Sequence, residues 1–153
     1  MTEPRFASIA DILSFAVQRE IEAAAGYALI EARAATPSLG RLAGELRGQE
    51  EEHRRLLEGL TPAAVADLAA RYTPDMGLVD GLADEPPADD MSIQEMLIFA
   101  ARKEARAMAL YDSLAGLAGT SGNRGLFRFL ADQERGHKLR IEAEYEALIL
   151  AEN

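Results

Sequence analysis

The strongest constraint on this chain is that it repeats itself. Shifted by 84 residues, the sequence aligns on itself without a gap. Ser8, Ile9, Leu13, Phe15 and Ala16 fall on Ser92, Ile93, Leu97, Phe99 and Ala100. Glu20, Ala23, Ala25 and Tyr27 fall on Glu104, Ala107, Ala109 and Tyr111. Further along, Leu42, Leu46, Gln49, Glu50, His53 and Glu58 fall on Leu126, Leu130, Gln133, Glu134, His137 and Glu142. Helices rich in Ala, Glu and Leu can match by composition, but here the only two His residues also fall in register. A chain of 153 residues therefore reads as one domain, 1–153, built from two similar halves around a shared core.

Each half predicts two helices. The first opens on a capping-box pattern, Ser8-Ile9-Ala10-Asp11 and Ser92-Ile93-Gln94-Glu95. An apolar stripe at helical spacing follows, Ile9, Leu13, Ala16, Ala23, Tyr27, Ile30, echoed by Ile93, Leu97, Ala100, Ala107, Tyr111, Leu114. Thr36-Pro37 is an N-cap with Pro at the first helical position, and the matching helix is expected after a Gly-rich turn from Gly116 to Gly125. These second helices carry stripes at Leu39, Leu42, Leu46, Leu57, Leu60 and at Leu126, Leu130, Ile141, Leu148. The helix pairs span 8–60 and 92–151. The connector 61–91 holds a short helix over about 62–71, capped by Thr61-Pro62, and an acidic run from Asp84 to Asp90. The fold class is all-α: two helix hairpins joined by a long crossover, the topology of ferritin-like antiparallel four-helix bundles.

The polar gaps in the stripes locate the chemistry. Glu20 lies between Leu13 and Tyr27 at steps of seven and faces the core with them, as Glu104 does between Leu97 and Tyr111. The second-helix stripes pass through Glu50 and His53, then through Glu134 and His137, while Glu51 and Glu52 fall off the line and are expected in solvent. Four carboxylates buried bare would protonate or keep the fold from closing. Two divalent cations balance four carboxylates, and Glu-x-x-His puts an oxygen and a nitrogen on one helix face. That ligand set suits iron or manganese, with zinc as a substitute.

The constellation Glu20, Glu50-Glu51-Glu52-His53, Glu104 and Glu134-Arg135-Gly136-His137 resembles the ferritin-like di-iron carboxylate proteins, most closely the rubrerythrin-like branch. The resemblance covers both helix pairs. It implies two iron ions, with Glu20 and His53 as terminal ligands on one side, Glu104 and His137 on the other, and Glu50 and Glu134 bridging. It also matches Tyr27 and Tyr111 to tyrosines that hydrogen-bond ligand carboxylates, against a plain reading as core packing. Two departures stand out. Ala107 occupies a position where rubrerythrins carry an additional Glu, and a chain without Cys has no rubredoxin module, so electrons come from an external donor.

The implied function is reaction with hydrogen peroxide or dioxygen, as a peroxidase or ferroxidase in oxidative-stress or iron homeostasis. The rival is an iron-handling protein without turnover. A formal charge of -10 argues against nucleic acid or an anionic membrane as partner. No Cys means no disulfide, thiolate zinc site or iron–sulfur cluster. No stretch reaches the roughly 18 apolar residues of a membrane span. The N-terminus lacks a signal-peptide pattern, so a cytoplasmic location is expected. Apolar residues on more than one face of Ile141 to Leu150 are read as a homodimer interface or as packing against the crossover. Arg19, Glu22, Arg33, Arg47, Arg54 and Arg55 are expected on a solvated face, and Arg102, Lys103 and Arg106 in helix-surface pairs. Gly26, Gly48 and Gly136 are read as close-approach points, as a path for oxygen, or as tolerated exposed positions.

Overall fold

All five α-helices among the described residues start where a hydroxyl side chain can replace a missing backbone partner. In a computed structural model that describes residues 8–78 and 90–152, Ser8 Oγ accepts from Asp11 N (3.2 Å) and opens α1, Ile9–Arg33. Thr36 Oγ1 accepts from Leu39 N (3.2 Å) ahead of α2, Pro37–Glu58, and Thr61 Oγ1 from Ala64 N (3.1 Å) ahead of α3, Pro62–Ala69. A full capping box forms only at α4, Ile93–Leu117, where Glu95 also accepts from Ser92 N at 3.3 Å. The Asp11 carboxylate is one methylene shorter than that of Glu95, and at Ser8 the structure shows the hydroxyl half alone. A 3-10 turn at Pro74–Met76 ends on Gly77, whose φ of 68° is left-handed and suits Gly. The acidic run expected in the connector lies outside the described residues from Asp84 to Asp89.

The last helix, α5 (Ser121–Glu152), starts earlier than its sequence predicts. The Gly116–Gly125 segment was expected to be a turn, yet α4 runs through Gly116 and α5 includes Gly122 and Gly125. Helix α5 is capped locally, since Thr120 Oγ1 accepts from Asn123 N at 3.2 Å, and α3 braces the turn that leads into it. Asp67 accepts from Gly119 N (3.1 Å) and Thr120 N (3.3 Å), and Asn123 Nδ2 donates to Asp67 Oδ2 and to Ala64 O, each at 2.9 Å. The Asn123 hydrogen bond, helped by the two backbone amides, holds the exposed Asp67 carboxyl below its ordinary range. A side chain at Gly119 would place Cβ 2.6 Å from Asp67 Oδ1, so the brace and this glycine belong together.

Helices α1 and α2 pack along their length, as do α4 and α5, and the pairs meet through α1–α4 and α2–α5. No strand occurs among the described residues, and no helix there is long and apolar enough to cross a membrane. The interior is stratified. One apolar cluster gathers Ile12, Leu13, Tyr111, Leu114, Phe127 and Leu130, closed at its end by Leu68 of α3. The other gathers Tyr27, Ile30, Leu39, Leu46, Leu97 and Ile141. Each fully buried Leu, Ile or Phe contributes about 1.5–3 kcal/mol. Between the two clusters the helices place a layer of charge.

One expected solvent residue moves inward. Arg19 is 9% exposed: its guanidinium lies over Phe15, and Nη2 donates to Lys103 O at 3.4 Å. Its repeat partner Lys103 does the same over Phe99 while reaching Glu22 at 3.8 Å. The arginine sits at the α1–α4 seam, where an aromatic face and a carbonyl replace water. Arg47 and Arg54 do face solvent, at 41% and 39% exposure of the side chain. In the tail, Ile141 is buried and Leu148 partly so, whereas Leu150 is exposed.

Candidate metal centre

Glu20 on α1, Glu50 and His53 on α2, Glu104 on α4, and Glu134 and His137 on α5 are each no more than 2% exposed. They converge in one polar layer. Two overlapping groups each bring four potential ligand atoms within 4.8 Å of one another: Glu20, Glu50, His53, Glu134, and Glu50, Glu104, Glu134, His137. Glu50 and Glu134 serve in both groups. Off the line, Glu52 is exposed as expected, whereas Glu51 is half-buried beside the opening that reaches Glu20.

The contacts cross between helices. His53 Nδ1 lies 2.9 Å from Glu134 Oε1 and 3.6 Å from both Glu50 Oε1 and Glu20 Oε2. His137 Nδ1 mirrors this, 2.9 Å from Glu50 Oε1 and 3.6 Å from Glu134 Oε1 and Glu104 Oε2. Each imidazole is thus nearer the opposing hairpin's carboxylate than the one on its own helix. The rings themselves are nearly parallel, 9° apart with centroids 5.7 Å apart.

Close as they are, these atoms do not satisfy each other. Glu20 Oε2, Glu50 Oε1, Glu104 Oε2, Glu134 Oε1 and both Nδ1 atoms are buried without a hydrogen bond among the described residues. At 2.9 Å each Nδ1 and its nearest carboxylate oxygen are close, yet no hydrogen bond joins them. An unsatisfied buried polar atom costs about 1–3 kcal/mol, more when charged, and one such atom on each of six residues makes a costly interior. A shared cation accounts for the spacing. Two ligand atoms each about 2.1 Å from one ion lie about 3.0 Å apart at a right angle and about 3.4 Å apart at the tetrahedral angle. The observed separations of 2.9 and 3.6 Å fall around those values. The buried Glu/His groups fit a metal ion.

Electrostatics agrees. Burial, then the charges of Glu104 and Glu20, pushes the Glu50 carboxyl well above the usual carboxylate range. Burial, then Glu104 and Glu50, does the same to Glu134. Burial raises the Glu104 carboxyl too, but the proximity of Glu134 and His137, with the Tyr27 hydroxyl, outweighs it and holds that carboxyl low. These shifts favour the protonated form of the two shared carboxylates, and a bound cation would oppose it.

Tyr27 Oη donates to Glu104 Oε1, and Tyr111 Oη donates to Glu20 Oε1. Both readings of these tyrosines therefore hold: the rings pack in the apolar clusters while the hydroxyls cross the α1–α4 seam to orient a carboxylate. Burial, followed by the nearby carboxylates, drives both phenols well above their ordinary range, so they stay protonated. Each ties one oxygen of its Glu and leaves the other, Oε2, aimed at the centre.

One participant was not singled out in sequence. Gln49 Oε1 hydrogen-bonds His137 Nε2, which makes that nitrogen the donor and leaves Nδ1 with a lone pair toward the carboxylates. Its signal was present, since Gln49 and Gln133 match in the repeat. The symmetry is incomplete, because His53 Nε2 makes no hydrogen bond among the described residues. The glycines also separate. A Cβ at Gly26, Gly48 or Gly136 meets nothing within 4 Å, so none marks a close approach, whereas one at Gly44 comes 2.3 Å from Glu31 Oε2. No family model, curated protein or solved structure matches this chain.

Proposed function

We propose that this protein is a non-haem di-iron protein of ferritin-like, rubrerythrin-type architecture that reacts with hydrogen peroxide or dioxygen. The observation that carries the reading is the pair of overlapping ligand groups with Glu50 and Glu134 common to both. Carboxylate oxygens with one imidazole per group suit iron or manganese better than softer metals. Contacts of opposite sequence order support an antiparallel bundle: Glu20 faces His53 while Glu31 faces Arg47, and Tyr27 reaches Glu104 while Tyr111 reaches Glu20.

When bound, two ferrous ions supply the two electrons that reduce peroxide to two waters, or dioxygen to peroxide, with two protons taken up. The chain's own residues set the conditions. Glu50 and Glu134 would be shared by both ions, and Glu20 with His53 and Glu104 with His137 would complete each side. Tyr27 and Tyr111 keep their carboxylates oriented and place a hydroxyl proton one bond from each. The two apolar clusters exclude bulk water from the layer.

Anaerobic Fe(II) titration of the metal-stripped protein tests this. Two tightly bound irons per chain are expected, followed by oxidation on adding peroxide or dioxygen. No bound iron, or one weak iron held equally by Glu50→Ala, overturns the reading. Binding without repeated turnover in the presence of a reductant would assign the protein to iron handling instead.

A further inference from the structure

The two-fold repeat is broken beside the centre, and the break opens one route into it. An apolar crevice between α1 and α4 has Glu104 and Tyr27 at its inner end, and Met96, Phe99 and Gly26 line its walls. Its mouth is flanked by Glu22 and Lys103, joined at 3.8 Å. The repeat partner of Gly26 is Leu110, which is 2% exposed and packed in the core cluster that α3 closes. The same position is therefore empty on the Glu104 side and filled on the Glu20 side. A Cβ at Gly26 would meet nothing within 4 Å, so this position has room for the side chain that Leu110 places at its equivalent.

We propose that the Gly26 crevice admits a small neutral oxidant to the Glu104–His137 side of the centre, and that Leu110 closes the equivalent route. This rests on the di-iron reading. The volume is about 50 Å³. One water occupies at least roughly 10–15 Å³, and drug-sized ligands need about 300–1,000 Å³. The crevice thus takes a molecule of two to four atoms and no organic substrate. Its throat offers no polar partner before Glu104 and Tyr27, so a charged solute would lose its hydration without replacement. Dioxygen and hydrogen peroxide share the required size and neutrality.

A second opening reaches Glu20 from the α1–α2 side, past Ala24, Arg47, Glu51 and Arg54. It is wider, about 360 Å³, and bordered by charged side chains; the repeat partner of Ala24 is Met108, which packs against the core on the other side. The repeat therefore supplies both test variants: Gly26→Leu copies the closed crevice, and Ala24→Met copies the closed groove.

Crystals of wild type under xenon should show the gas beside Gly26, and those of Gly26→Leu should not. In the ferrous proteins, Gly26→Leu should slow oxidation by about tenfold or more, equivalent to ~1.4 kcal/mol, with anaerobic iron binding unchanged. Ala24→Met should oxidise at the wild-type rate. Slowing with dioxygen alone, or with peroxide alone, identifies the oxidant that uses the crevice; slowing with both supports either. Unchanged oxidation in Gly26→Leu, or equal slowing in Ala24→Met, overturns the route. If wild type binds no iron, the di-iron reading falls, and absence of xenon from its crevice overturns the route independently.

Discussion

Replacing Glu50 by Gln removes one charge from both ligand groups while keeping the side chain's volume, and replacing Glu20 by Gln touches only one group. The two variants should therefore differ in how much stability a metal confers. A ligand present at 100 times its dissociation constant adds about 2.7 kcal/mol per site to the folded state. For a chain of this length, each kcal/mol raises Tm by about 2–4 °C. One filled site is then worth about 5–11 °C and two about 11–22 °C. Thermal melts followed by circular dichroism, with and without Co(II) or anaerobic Fe(II), give the comparison. Wild type should show the larger shift, Glu20→Gln about half of it, and Glu50→Gln little. In metal-free buffer at neutral pH, Glu50→Gln should be neutral or stabilising, because burial and the neighbouring carboxylates already disfavour the charged form it deletes. An equal metal-induced shift in wild type and Glu50→Gln would refute the placement of Glu50 at the cation. Equal losses in Glu20→Gln and Glu50→Gln would refute its sharing between two groups.

The pH dependence has a definite sign. The Glu50 and Glu134 carboxyls are raised in the folded state, so their contribution is intact below about pH 4.5 and is lost as pH rises through the elevated values. Glu104, held low, acts in the opposite sense but only in the more acidic range. Metal-free protein should then melt at a higher temperature at pH 5.5 than at pH 8; a Tm that climbs over that interval contradicts the proton-retaining cluster. Metal affinity should move the other way and strengthen with pH, because binding releases those protons. Finally, Gln49→Leu should weaken metal binding by about 10–100-fold by freeing the His137 ring, whereas Gln133→Leu should leave it near wild type. Equal effects from both, read by competition with a chelating dye, would count against the ring-orienting role.

Much of the site was legible in one dimension. Helical periodicity and the 84-residue register put Glu20, Glu50, His53, Glu104, Glu134 and His137 on inward stripes, because which face a residue occupies is a property of its own helix. Caps at Ser8, Thr36, Thr61 and Ser92 were readable for the same reason, since each acts within one turn. What the tertiary structure decided depends on how helices meet. His53 approaches Glu134 more closely than Glu50, each tyrosine serves the carboxylate of the other hairpin, and Gln49 turns toward His137 across α2 and α5. Asp67 of α3 ties down the turn before α5, and the seam at Phe15 draws Arg19 out of water. The repeat makes the halves alike, and single exchanges such as Gly26 for Leu110 make them unequal. A stripe specifies direction, but the neighbour waiting there is set by the rotation and depth at which two helices pack, and no spacing along one chain encodes it.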